Sequence, residues 1–79
     1  MDIASLISVG KLQPGTKLSW KRRLTGLHTV IVQEDGSLVS EDGRKHKSPS
    51  GAAKAISGKP VDGWSAWKLP NGKAIGTLR

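Results

Sequence analysis

Apolar residues in this chain fall into short runs whose spacing changes along its length. In the first run Ile3, Leu6 and Ile7 recur at helical spacing, behind Asp2 and ahead of Gly10. Asp2 can accept a backbone N–H as a cap and Gly10 can end the helix, so one short helix is predicted over residues 2–9. Gln13-Pro14-Gly15-Thr16 then places Pro and Gly at the two central positions of a type II turn. Beyond it the period drops to two. Lys17, Ser19 and Lys21 alternate with Leu18 and Trp20, which marks a strand whose Leu18 and Trp20 face inward. Leu24-Thr25-Gly26 reads as a turn or bulge, and Leu27 to Val32, rich in β-branched residues, as the next strand. Glu34-Asp35-Gly36 and Glu41-Asp42-Gly43 carry the Asp-Gly hairpin signal on either side of a short returning strand, Ser37 to Ser40. Arg44 to Lys47 supplies a fourth strand or an exposed ribbon edge. The middle of the chain is therefore a small antiparallel β-meander of three or four strands.

Ser48 to Gly58 is the clearest helix. Ser48 can cap it, Pro49 suits its first position, Ala52, Ala53 and Ala55 propagate it, and Gly58 fits the residue past its end. Gly51 in the first turn costs about 1 kcal/mol relative to Ala, and its missing side chain predicts a close neighbour, either a strand or a ligand backbone. Val61-Asp62-Gly63 turns the chain, Trp64 to Leu69 reads as a last strand, and Asn71-Gly72 is another hairpin signal. Helix, meander, Ala-rich helix and C-terminal strand make an α+β domain. The single domain spans residues 1–79, with a core over 3–69 and a short hairpin or tail over 70–79.

The charge changes the picture more than the length does. The chain of 79 residues has thirteen Lys and Arg against six Asp and Glu, a net charge of +7. Residues 1–43 are neutral, since Lys11, Lys17, Lys21, Arg22 and Arg23 balance Asp2, Glu34, Asp35, Glu41 and Asp42. Residues 44–79 carry Asp62 as their only acid, so the whole surplus lies there. A lopsided basic half is the footprint of a partner carrying phosphates, although a basic protein with no polyanion partner has the same composition. The absence of cysteine excludes disulfides, thiolate metal sites and a Cys nucleophile, and fits a reducing, cytoplasmic setting. No apolar run approaches the ~18 residues of a membrane span, and the first ten residues lack the basic start of a secretory signal.

Catalysis finds no support. Glu34-Asp35 and Glu41-Asp42 sit at turn tips, where acidic residues serve turn geometry and nothing shifts one pKa against its neighbour. His28 and His46 have no ligand partners at metal-binding spacing. No cofactor is expected, and no enzymatic activity.

The chemistry that remains lies between residues 44 and 68. Arg44, Lys45, His46 and Lys47 lead into the start of the Ser48 helix, where unpaired N–H groups and partial positive charge favour a phosphate. Ser48 and Ser50 add hydroxyls and Lys54 adds charge, though capping alone also explains Ser48. Trp64 and Trp67, three apart on a strand, should face opposite sides, one in the core and one free to stack on a base; both can equally be core residues in a chain with no Phe or Tyr. Arg22 and Arg23 at a strand end serve either as edge protection or as further phosphate contacts. This reading requires the cations of the C-terminal half to share one surface around the start of the second helix.

Several of these segments together resemble the RAMA domain, the restriction enzyme and adenine methylase associated domain. They are Leu12 to Trp20, the Glu34-to-Leu38 hairpin, the Ser48-Pro49-Ser50-Gly51-Ala52-Ala53-Lys54-Ala55 helix and Val61 to Trp67. The most specific are the helix and the Gly63-Trp64-Ser65-Ala66-Trp67 motif; Asp62 stands where the family commonly has Asn. The resemblance implies a small α+β module appended to DNA methyltransferases, restriction endonucleases or related proteins, where it binds DNA and in some members helps read modified bases. By position, the Ser48–Ser50 helix start and Gly63-Trp64 would face DNA, and Trp67 would be core.

The expected function is thus a non-catalytic module that binds double-stranded DNA through Arg22, Arg23, Arg44, Lys45, Lys47, Ser48, Ser50, Lys54, Gly63 and Trp64. A methyltransferase or nuclease domain would share its parent protein, with no membrane partner. The alternative is a protein–protein interaction module docking through an exposed strand edge or Trp64.

Overall fold

The computed structural model describes residues 2–79; Met1, within the predicted domain span, lies outside the described residues. Asp2 accepts the Ser5 N–H at 2.8 Å and opens helix α1, Ile3–Ser8, which buries Ile3 and Leu6. Four strands follow in chain order: β1 Lys17–Arg22, β2 Gly26–Val32, β3 Leu38–Ser40 and β4 Lys45–His46. They form one antiparallel sheet in the order β1-β2-β3-β4, the predicted meander with its fourth strand present. Helix α2, Pro49–Ser57, is capped by Ser48, whose hydroxyl accepts the Gly51 N–H at 3.0 Å, and it ends at Gly58.

Register decides which side chains share a face. Leu18 lies opposite Val30, Trp20 opposite His28, and Val32 opposite Leu38, so these alternate positions line the face that the helices cover. Leu18, Val30, Val32 and Leu38 join Ile3 and Leu6 of α1, Ala52 of α2 and Trp67 in one buried cluster. Each Leu or Ile fully buried there adds about 2 kcal/mol. Trp20 is half-buried and packs edge-on against Trp67, ring centres 5.7 Å apart.

The β2–β3 turn is tied to α1 at Gly36. Its φ of +87° is left-handed, and a Cβ there would lie 2.8 Å from the Cβ of Ala4. Both conditions require glycine at this position. Asp35 completes the turn by accepting from the Ser37 N–H at 2.9 Å and the Ser37 hydroxyl at 2.6 Å.

The C-terminal segment departs from the alternating pattern. Gly63–Ala66 forms one helical turn, α3, in place of the first half of the predicted strand Trp64 to Leu69. Asp62 caps it, accepting from the Trp64 N–H at 3.1 Å and the Ser65 hydroxyl at 2.9 Å, and this local bonding overrides the alternation of Trp and small residues. Strand character survives only as bridges from Lys68 to Ser19 and to Ala74. Nor does the core end at Leu69: a short 3-10 helix, Ile75–Leu78, inserts the fully buried Ile75 and packs Leu78 against the cluster.

Candidate nucleic-acid interface

The start of α2 and the start of α3 are locked together. The Ser50 hydroxyl accepts the Gly63 N–H at 3.1 Å, and the Trp67 indole Nε1–H donates to the Pro49 carbonyl at 3.0 Å in a buried setting. Gly63 is buried, and a Cβ on it would fall 2.1 Å from the Pro49 carbonyl carbon. The Ser-Pro-Ser and Gly-Trp-x-x-Trp segments therefore hold each other. Ser50 and Gly63 sit at this inner contact, while Ser48, at the α2 terminus, is exposed. No strand approaches Gly51 among the described residues: a Cβ there would meet only the Ser48 hydroxyl, at 3.1 Å. Close approach occurs at Gly63 because α3 crosses α2 at its first turn.

Lys47, Ser48 and Trp64 come together on one groove of about 500 Å³, whose other wall is Asp2, Ile3 and Ser5 of the α1 start. A second groove of about 440 Å³ shares Asp2, Ile3 and Lys47 and runs to Lys45 and the β2–β3 turn. Lys45 Nζ lies 2.8 Å from Asp35 Oδ2, and this ammonium, with the Ser37 hydroxyl and N–H, holds the Asp35 carboxyl below its ordinary range. Arg44 pairs with Asp42 at 3.3 Å. The Asp42 carboxyl is lowered as well, chiefly by the Ser40 hydroxyl and then by the Arg44 N–H. Of the thirteen Lys and Arg, these two are the ones with a carboxylate partner among the described residues.

The expected convergence of the C-terminal cations is only partial. Arg44, next to Lys45 on an extended segment, points to the other side, where it lines a cavity of about 200 Å³ with His28, His46 and Ile56. Lys54 falls in the last turn of α2, where it favours the helix dipole, and so lies away from the helix start. Lys68 bridges to the edge of β1. Adjacent extended residues alternate sides and a helix moves its residues along an axis, so neighbours in sequence part company here.

Trp64 is half-exposed and Trp67 fully buried. The Arg79 guanidinium lies 4.5 Å from the Trp64 ring centre, so one face of that ring already carries a cation. Nothing in the spacing of the sequence links Arg79 to Trp64; the 3-10 helix brings it there, with Gly76 against the Trp64 backbone. Arg22 stacks over Trp20 at 5.1 Å, and Arg23 is exposed at the end of β1. Arg22 and Arg23 thus form a separate basic group on the β1–β2 hairpin.

A four-stranded meander backed by a Ser-capped helix and a tryptophan turn, with a mostly uncompensated basic surface, defines a small α+β module. Its whole length, residues 1–79, matches the family model described as RAMA: Restriction Enzyme Adenine Methylase Associated. The chain belongs to this family. No curated protein matches it. Among the described residues no helix is long and apolar enough to cross a membrane.

Proposed function

We propose that this chain is a non-catalytic module that binds double-stranded DNA within a restriction–modification or DNA-methylation system. The observation that carries the reading is the net charge of +7: of the thirteen Lys and Arg, only Arg44 and Lys45 pair with a carboxylate among the described residues. Uncompensated cations on a small rigid frame bind phosphates by releasing condensed counterions. Lys47 beside the α2 terminus, with the N–H groups that Ser48 leaves unpaired, offers a phosphate seat, and Trp64 with Arg79 offers a flat cationic surface beside it. Phosphate contacts position a protein without reading sequence, so this module prefers duplexes with little sequence discrimination. A methyltransferase or nuclease domain of the parent protein would deliver it to its sites, and modified bases are its additional target.

Titration of a labelled duplex, an adenine-methylated duplex of the same sequence and the single strand, each over a range of salt, tests the reading. Neutralising about five phosphates gives a slope of log K against log salt near −4 or −5. A slope near zero rejects the mechanism. Equal affinity for both duplexes removes modified-base sensing and leaves DNA binding intact.

A further inference from the structure

The β1–β2 hairpin reaches beyond the rest of the sheet. Pairing of β2 with β3 covers only Val30 to Val32, and the outer edge of β1 is bridged at Ser19 by Lys68. Past Trp20↔His28, the rungs Lys21↔Leu27 and Arg22↔Gly26 have no further strand neighbour among the described residues. Arg23-Leu24-Thr25 closes the tip.

Three properties of this ribbon go together. From Lys17 to Val32 there is no carboxylate, while Lys21, Arg22 and Arg23 are consecutive cations. Leu24 at the apex is 93% exposed and Leu27 is 59% exposed, two of the three most exposed large apolar residues. The base is anchored to the core: Arg22 stacks on Trp20, which packs on the buried Trp67. Edge protection explains cations on a free strand. It does not explain a leucine at a turn apex, where Gly, Asn, Asp, Pro or Ser serve the backbone better.

We propose that residues 21–27 are an arm that enters the major groove of duplex DNA, with Leu24 against base edges and Lys21 and Arg23 on the flanking phosphates. The proposal rests on the DNA-binding reading and names the element that makes the contact. Two strands about 5 Å apart, extending roughly 10 Å past the sheet body, match a groove about 12 Å wide and 8.5 Å deep; the minor groove, about 6 Å wide, is too narrow. Apolar contact with thymine methyl groups suits a bare leucine. An anionic membrane surface is the competing partner of like charge, but two leucines bury too little apolar area for stable anchoring.

The test compares the unaltered chain with Leu24→Ser, Arg23→Gln and Lys47→Gln, using a short duplex, its single strand and phosphatidylserine-containing vesicles. Leu24→Ser and Arg23→Gln should each weaken duplex binding about fivefold or more, and Arg23→Gln should also make the salt slope shallower by about one. Thermal midpoints stay unchanged, since both side chains are exposed. If Lys47→Gln weakens binding while both arm variants match the unaltered chain, the arm is overturned and DNA binding stands. Equal affinity for single strand and duplex overturns groove insertion. Binding to vesicles without binding to the duplex overturns both the arm and the DNA-binding reading, as does the absence of any duplex binding.

Discussion

Gly63 lies against Pro49 so closely that a single added carbon would sit 2.1 Å from the Pro49 carbonyl carbon and 2.4 Å from the Ser50 nitrogen. The same two turns are joined by the Trp67 indole on the Pro49 carbonyl and by the Ser50 hydroxyl on the Gly63 N–H. One glycine thus sets the distance at which the two segments most typical of this chain dock.

Gly63→Ala should be among the most damaging single substitutions. The neighbouring atoms are backbone and cannot swing aside, so α3 must move off α2 and pull Trp67 from its place. A loss of about 3 kcal/mol is expected, read as a lower urea midpoint. Gly51→Ala, with only the Ser48 hydroxyl nearby, is the contrast: it should leave stability unchanged or raise it.

Ser50→Ala removes the acceptor for the Gly63 N–H in a partly buried place and should cost about 1–2 kcal/mol. Chemical denaturation measures this directly. A normal midpoint combined with weakened DNA binding would assign the hydroxyl to the ligand instead of the fold.

Acid should weaken the fold through Asp2, Asp35 and Asp42. Each carboxyl is held below the ordinary range: Asp2 chiefly by the Ser5 N–H, Asp35 by the Lys45 ammonium, Asp42 by the Ser40 hydroxyl. A carboxyl lowered in the folded state stabilises fully above its unfolded pKa, near 4, and that contribution fades as pH falls toward the folded value. Melting temperature should therefore fall as pH drops from about 4 toward 2, less steeply in Asp35→Asn. Equal acid limbs in the two proteins would remove Asp35 from the account.

Arg79→Gln uncovers one face of Trp64. Quenching of tryptophan fluorescence by acrylamide should rise, with stability lowered by no more than about 1 kcal/mol, the scale of an exposed cation–π contact. Unchanged quenching would mean that the guanidinium does not cover the ring in solution.

Much of the fold is legible in local chemistry. Asp2 and Ser48 as caps, the two Asp-Gly turns, and alternation over Lys17 to Lys21 and Leu27 to Val32 all act within a few residues, so they act the same way in the folded chain. The Trp64 segment was misleading because its spacing fits a strand, while Asp62 two residues earlier supplies a stronger local instruction, a cap for the Trp64 N–H. Asn at that position could cap in the same way, so the Asp62 carboxylate has a structural reason to stand there.

By itself the sequence determined the α+β class, the element order, the basic surplus and the identities of its cations, because composition, periodicity and capping are properties of neighbouring residues. Tertiary structure alone decided which cations share a surface. It turned Ser50 and Gly63 inward, laid Arg79 on Trp64, sent Arg44 and Lys45 to opposite sides, and left the tip of the β1–β2 hairpin projecting. Those outcomes depend on how far each strand pairs and how closely two helices approach, and such distances arise only when segments far apart in the chain meet.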